Sequence, residues 1–174
     1  MTDSAELAKY RSDARAWCEA NLERKSATFG VRDERDSALA SLEADRALRR
    51  RVYAAGYIGI SIPTEYGGQG LTKEHEQIWA QESASFAVPQ PGGVATNVSV
   101  SIVVPTILAH GTEEQKREWV PKLLSSDELW VQLLSEPGAG SDLAGVLTKA
   151  EKDGESWVIT GSKVWSSGAL CADY

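Results

Sequence analysis

The sequence predicts an α+β protein, an all-helical N-terminal region followed by antiparallel strands. Up to residue 127, apolar residues recur three and four positions apart, the period of helices with one buried face. Beyond Asp127 the pattern changes to short apolar runs broken by Gly and Pro. Within that second part, Asp153-Gly154 supplies a hairpin signal between two such runs. These observations divide the chain into a helical domain over 1–127 and the beginning of a β domain over 128–174.

The first helix carries Leu7, Tyr10, Ala14, Trp17, Cys18 and Leu22 on one face. Residues 25–36 are charged and aperiodic, so they read as a connection. A second helix is expected over 37–55, with Leu39, Leu42, Leu48 and Val52 inward and Gly56 as its C′ residue. Arg49-Arg50-Arg51 near its end could suggest a phosphate site, but cations also favour a helix C-terminus, and that reading is preferred. The Tyr66-Gly67-Gly68-Gln69-Gly70 loop lacks the Lys-Ser/Thr ending of a phosphate-binding loop and reads as a turn. Thr72 can cap a third helix bearing Ile78, Trp79 and Phe86.

Pro89, Pro91, Gly92 and Gly93 break the chain. An apolar helix follows over 94–110, with Val98, Ile102, Ile107 and Leu108 buried and a kink at Pro105. Thr112 and Gln115 stand in the capping-box relation, and Pro121 is expected to split the next helix. Strands are expected over 129–135, 146–152 and 157–160, with Gly161-Ser162 turning into a further run, giving a sheet of three or four strands with an open edge.

Composition narrows function. The formal net charge of −7 argues against nonspecific nucleic-acid binding, though not against a local site for an anion. Cys18 and Cys171 are far apart in sequence and form no metal-binding pattern, so free thiols in a reducing compartment and a cytoplasmic location are expected. The most apolar stretch, 102–109, is interrupted by Pro105 and too short to span a membrane. His75 and His110 lack a local Ser, Cys or carboxylate set and read as surface or helix-end residues.

The chemistry concentrates in one motif and its companion. Leu133-Leu134-Ser135 leads into Glu136-Pro137-Gly138-Ala139-Gly140-Ser141-Asp142, and Lys163-Val164-Trp165-Ser166-Ser167-Gly168 follows the hairpin. Pro137 fixes one φ, and Gly138 and Gly140 are expected to take angles that side chains forbid. Backbone N–H groups there can approach a flat polar ligand, with serine hydroxyls as further donors.

The two motifs in this order, with an Asp-Gly hairpin between them, resemble the flavin-binding segments of the acyl-CoA dehydrogenase family. The resemblance extends to Gly111-Thr112-Glu113-Glu114-Gln115-Lys116 and to the Tyr66-Gly67-Gly68 loop. It implies a helical domain followed by the first strands of a β-barrel middle domain, truncated at Tyr174. It also implies FAD as cofactor. Gln132, Leu134 and Ser135 would lie along the flavin ring, and Gly140 and Ser141 would shape the ring and pyrophosphate region. Ser141 would also stand near the acyl-CoA thioester, Trp165 would pack on the isoalloxazine face, and Ser167 would approach the hydride-accepting nitrogen. Ser135 and Ser167 depart from the threonines common in the family, and serine lacks the methyl that restricts χ1. The alternative for Trp165 is a strand core residue, the reading taken for the other five tryptophans.

The family reaction removes an α-proton from an acyl-CoA and passes a β-hydride to FAD, giving a trans-2-enoyl-CoA. Its glutamate base comes from a C-terminal helical domain, so no catalytic residue is expected in this chain. Glu136 is expected to support the turn instead. The resemblance further implies an electron-transfer flavoprotein or similar acceptor and a homo-oligomer at full length. Two alternatives stay open: a non-catalytic binding or subunit module that needs a partner chain, and a flavin oxidase or monooxygenase on the same scaffold.

Overall fold

A computed structural model describes residues 4–25, 36–88, 98–166 and 168–174, the side chains of 36–41 excepted. Among the described residues five α-helices come first: α1 (Ala5–Asn21), α2 (Asp36–Ala54), α3 (Lys73–Ser83), α4 (Val104–His110) and α5 (Glu113–Ser125). A two-stranded antiparallel sheet follows, β1 (Lys149–Asp153) and β2 (Ser156–Thr160). The expected breaks at Pro89–Gly93 and most of the 25–36 connection lie outside the described residues.

The helix α1 starts where Ser4 accepts a hydrogen bond from the Leu7 N–H at 3.2 Å. Ala14 and Cys18, both fully buried, are small enough to bring α1 close to α3. Burial pushes the Cys18 thiol up to about 11. Tyr57 and Trp79 stack at 4.3 Å beside Trp17, and Arg11 and Arg15 both pair with Glu82, at 3.0 and 2.8 Å. The helix α2 ends as predicted at Gly56, whose φ of 83° closes a Schellman turn: Tyr57 N–H reaches the Val52 carbonyl and Gly56 N–H that of Tyr53.

The main core packs Val104, Ile107, Val120, Leu123, Leu124 and Tyr66 together. Each buried Val, Leu or Ile side chain contributes about 1.5–3 kcal/mol. Thr112 and Gln115 form the predicted capping box, each donating to the other's side chain, at 2.9 and 3.2 Å. The Tyr66–Gly70 loop is a turn that consumes its own donors. The N–H groups of Gly67, Gly68, Gln69 and Gly70 bond to Thr64, Pro63, Gly59 and Ile62, leaving none to cradle a phosphate.

Four expectations are corrected. Pro121 does not split the helix: α5 runs through it, held by the burial of Val120, Leu123 and Leu124 on either side. Ile102 is exposed, at 41%, because Ser99–Val103 is a π-helical segment whose wider turn shifts the phase; Ser99 and Val104 take the buried positions instead. His75 lies at a helix end as expected but is buried, its Nδ1 3.0 Å from the Thr72 hydroxyl. Trp157 is not a core residue, since it stands 63% exposed on β2.

The sheet is also smaller than expected, with two strands among the described residues. The hairpin is present, but its two loop residues are Gly154 and Glu155, with Asp153 paired to Ser156. Gly154 alone carries a positive φ, 60°, which suits the first corner of a type II′ turn. The 129–135 segment joins no ladder, and the main-chain groups of its first three residues bond elsewhere. Ser99 Oγ accepts from Trp130 N–H at 2.7 Å and donates to the Trp130 carbonyl at 2.9 Å. Leu129 N–H donates to the Asp173 carboxylate at 2.8 Å, and Val131 N–H to the Tyr174 carbonyl at 2.9 Å. Among the described residues no helix is long and apolar enough to cross a membrane.

The glycine loop offers a direct test of this packing. A Cβ on Gly68 would stand 2.1 Å from the Ile62 carbonyl oxygen, a main-chain atom that cannot step aside. Gly68→Ala is expected to cost about 1–3 kcal/mol, read as a lower urea midpoint with an unchanged slope.

Candidate functional site

The motif predicted to bind a ligand is built around one buried carboxylate. Glu136 and Ala139 exchange main-chain hydrogen bonds at 2.8 and 3.1 Å, closing a tight turn over Pro137-Gly138. The Glu136 side chain folds under this turn, where only 6% of it is exposed. It accepts from Leu147 N–H at 2.6 Å, from Thr148 N–H at 2.9 Å and from Lys163 Nζ at 2.8 Å. The Lys163 ammonium, followed by Thr148 and the Leu147 N–H, holds the carboxyl down at about 2 from its ordinary 4.5. Glu136 is thus a fixed anion that ties the turn to the start of the hairpin and to its end.

Lys163 also donates to the Leu134 carbonyl at 3.0 Å, and Val164 N–H donates to the Ser135 carbonyl at 3.0 Å. These bonds lay the 163–166 segment beside Leu134 and Ser135. Trp165 follows with φ 58°, a left-handed conformation rare for a bulky residue, and its indole is 89% exposed. The structure therefore does not bury Trp165 as strand core.

The other predicted residues divide accordingly. Leu134 is 45% exposed, and Ser135 is half-buried beside the 163–166 segment. Gln132, Gly140 and Ser141 are exposed, and Ser167 lies outside the described residues. Among the described residues no acceptor is found for the main-chain N–H groups of 132–135.

One expectation about the turn is corrected. Gly138 and Gly140 have no positive φ, and a Cβ on either would meet nothing within 4 Å. Their backbone lies where any residue can follow, because the Glu136–Ala139 bonds and Pro137 already define the turn. What the two glycines leave is open space beside the motif.

Sequence reasoning passed over Lys163 and the carboxylate-accepting amides of Leu147 and Thr148. The available signal was a glutamate placed directly after an apolar run, with a lysine at the start of the companion motif. Among the described residues no cluster of His, Cys, Asp and Glu could hold a metal ion.

A helical region leading into a β segment is an order that known proteins share. The acyl-CoA dehydrogenase N-terminal domain matches residues 4–127, and the acyl-CoA dehydrogenase middle domain matches residues 132–174. Acyl-CoA dehydrogenase IpdE1 of Mycobacterium tuberculosis is 36% identical over 162 residues, 93% of this chain and 41% of that protein. The ChsE4-ChsE5 complex from Mycobacterium tuberculosis superposes with a TM-score of 0.67 at 31% identity, covering 100% of this chain and 42% of that one. A glutaryl-CoA dehydrogenase from Mycobacterium smegmatis in complex with FADH2 shares the fold, with a TM-score of 0.59 at 24% identity over 98% of this chain and 41% of that one. The chain belongs to the acyl-CoA dehydrogenase family, which is flavin-dependent in general. It spans less than half the length of these relatives.

The Glu136 environment fixes a pH dependence. A carboxyl whose folded value is depressed adds stability that is complete above 4.5 and fades as pH falls toward about 2. Acid titration of the wild-type chain is therefore expected to release the Leu147 and Thr148 amides to hydrogen exchange within that window. In Glu136→Gln their exchange should be fast already at neutral pH, with no such acid step.

Proposed function

We propose that this chain forms the flavin-side half of an acyl-CoA dehydrogenase, within which an acyl-CoA thioester is dehydrogenated to a trans-2-enoyl-CoA. The observation that carries this reading is Trp165: a left-handed residue whose indole is displayed to solvent, strapped beside Leu134 and Ser135. An exposed aromatic plate next to unpaired main-chain N–H groups fits a flat heterocycle edged with carbonyl and nitrogen acceptors. The open space at Gly138 and Gly140 leaves room for it.

FAD, when bound, supplies the hydride acceptor. The chain's own residues bind and orient. Trp165 would cover one face of the bound ring and exclude water there, while N–H groups along Gln132, Leu134 and Ser135 would meet its edge. Gly140 lets the pyrophosphate region approach the backbone, and Ser141 offers a hydroxyl to the cofactor and to the thioester. By the family resemblance, Ser167 would offer a further hydroxyl to the flavin.

Glu136 does not serve as the base. A carboxylate held at about 2 is far too weakly basic for the α-proton of a thioester at neutral pH, and three donors already occupy its oxygens. No residue of these 174 is assigned as the proton acceptor. The division into 1–127 and 128–174, an acyl-CoA substrate, an electron-transferring flavoprotein acceptor, a homo-oligomer and a cytoplasmic location all follow from the same reading.

The test is flavin uptake. The 174-residue chain is expected to bind FAD weakly and to show no acyl-CoA dehydrogenase turnover. Trp165→Ala should weaken FAD binding by about tenfold, in line with the roughly 1.4 kcal/mol of an aromatic stack. Turnover by the purified chain, its mass confirmed, would overturn the assignment of the base, and no FAD uptake at all would overturn the flavin reading.

A further inference from the structure

We propose that Glu136 and Lys163 are positioning residues: their buried ion pair fixes the backbone that presents Trp165, and so sets the indole in register with Leu134 and Ser135 as one flavin platform. This rests on the flavin reading above and adds to it the device that builds the platform.

The left-handed conformation of Trp165 needs a cause. A bulky residue takes φ 58° only where its surroundings impose it. The indole itself imposes nothing, being 89% exposed. The constraint lies in the flanking backbone. On the N-terminal side Lys163 Nζ bridges Glu136 Oε1 at 2.8 Å and the Leu134 carbonyl at 3.0 Å, and Val164 N–H bonds the Ser135 carbonyl at 3.0 Å. On the C-terminal side Ala169 N–H bonds the Ser166 carbonyl at 3.1 Å, and Gly168 turns with φ 86°. The two residues before Trp165 are therefore pinned to the two residues that would meet the ring edge.

The latch works because each partner is doubly committed. Glu136 is anchored by Leu147 and Thr148 amides, so it cannot follow Lys163 outward. Lys163 is only 21% exposed, so water competes weakly for its bonds. Its compact ammonium can serve a carboxylate and a carbonyl at once. Without the pair, the 163–166 segment keeps a single main-chain bond to Ser135 and the register of the indole is lost.

The test is a double-mutant cycle on the 174-residue chain, using FAD as the probe. Wild type, Lys163→Met, Trp165→Ala and the double variant are compared by flavin-fluorescence quenching and by hydrogen exchange at the Val164 amide, with urea midpoints confirming that each folds. Lys163→Met is expected to weaken FAD binding about tenfold, leave the bound flavin less quenched and speed Val164 exchange. Lys163→Arg should restore part of each, and adding Trp165→Ala to Lys163→Met should cost little more. That non-additivity separates positioning of the indole from general support of the fold. If Lys163→Met does not fold, Glu136→Gln takes its place in the cycle. Wild-type affinity in the folded variant, or additive losses, overturns the latch and leaves the flavin reading standing. A wild-type chain that takes up no FAD overturns the flavin reading, and the positioning role with it.

Discussion

Burying a carboxylate is costly unless every lone pair that matters finds a donor, and the second half of this chain is organised by meeting that demand at Glu136. Three donors converge on it from two directions: the Leu147 and Thr148 amides just ahead of β1, and the Lys163 ammonium just after β2. Because Glu136 sits at the turn that ends the 129–135 segment, one side chain joins three stretches of backbone that share almost no ladder bonds. A two-stranded hairpin alone is marginal in water, and this one is exposed on both faces. Its attachment to the rest of the chain depends on that carboxylate.

A second set of contacts carries the platform onto the helices. Ser99, fully buried on the π-helical segment, serves both main-chain groups of Trp130. Asp173 receives Leu129 N–H and pairs with Arg46 of α2 at 2.7 Å. Trp119, Trp130 and Tyr174 pack as one aromatic row, so the segment entering the motif is gripped from α5 and from the chain's last residues. The π-helical segment puts Ser99 on the inward face, where it meets Trp130. A regular helix through the same residues would have turned Ile102 inward, as the spacing suggests.

That contrast marks how far the sequence could be read. Helix ends were legible because caps are local: Gly56, Thr72 and the Thr112–Gln115 pair act within one turn of chain. Motif positions were legible because the two segments are short and distinctive. Whatever depended on distant partners was not. The π-helical segment, the continuity of α5 through Pro121 and the diversion of 129–135 from a ladder all follow from tertiary bonds that no local period records. The same holds for Lys163, an ordinary surface residue in the sequence, whose meaning comes from a partner 27 positions away.

The glycines make the point about the site most sharply, because the same residue answers two different questions. Gly68 is required by the chain itself, since a Cβ there would strike a carbonyl of Ile62. Gly138 and Gly140 are required by nothing in the chain, neither by backbone angle nor by any neighbour. At those two positions the turn is already set by Pro137 and the Glu136–Ala139 bonds, and a Cβ would stand in open space. The exposed indole of Trp165 stands beside the same motif. Its left-handed backbone holds in water a surface that ordinarily seeks burial. The turn at Gly138 and the exposed indole of Trp165 are two ends of one stretch of structure, and the Glu136–Lys163 pair holds the backbone between them.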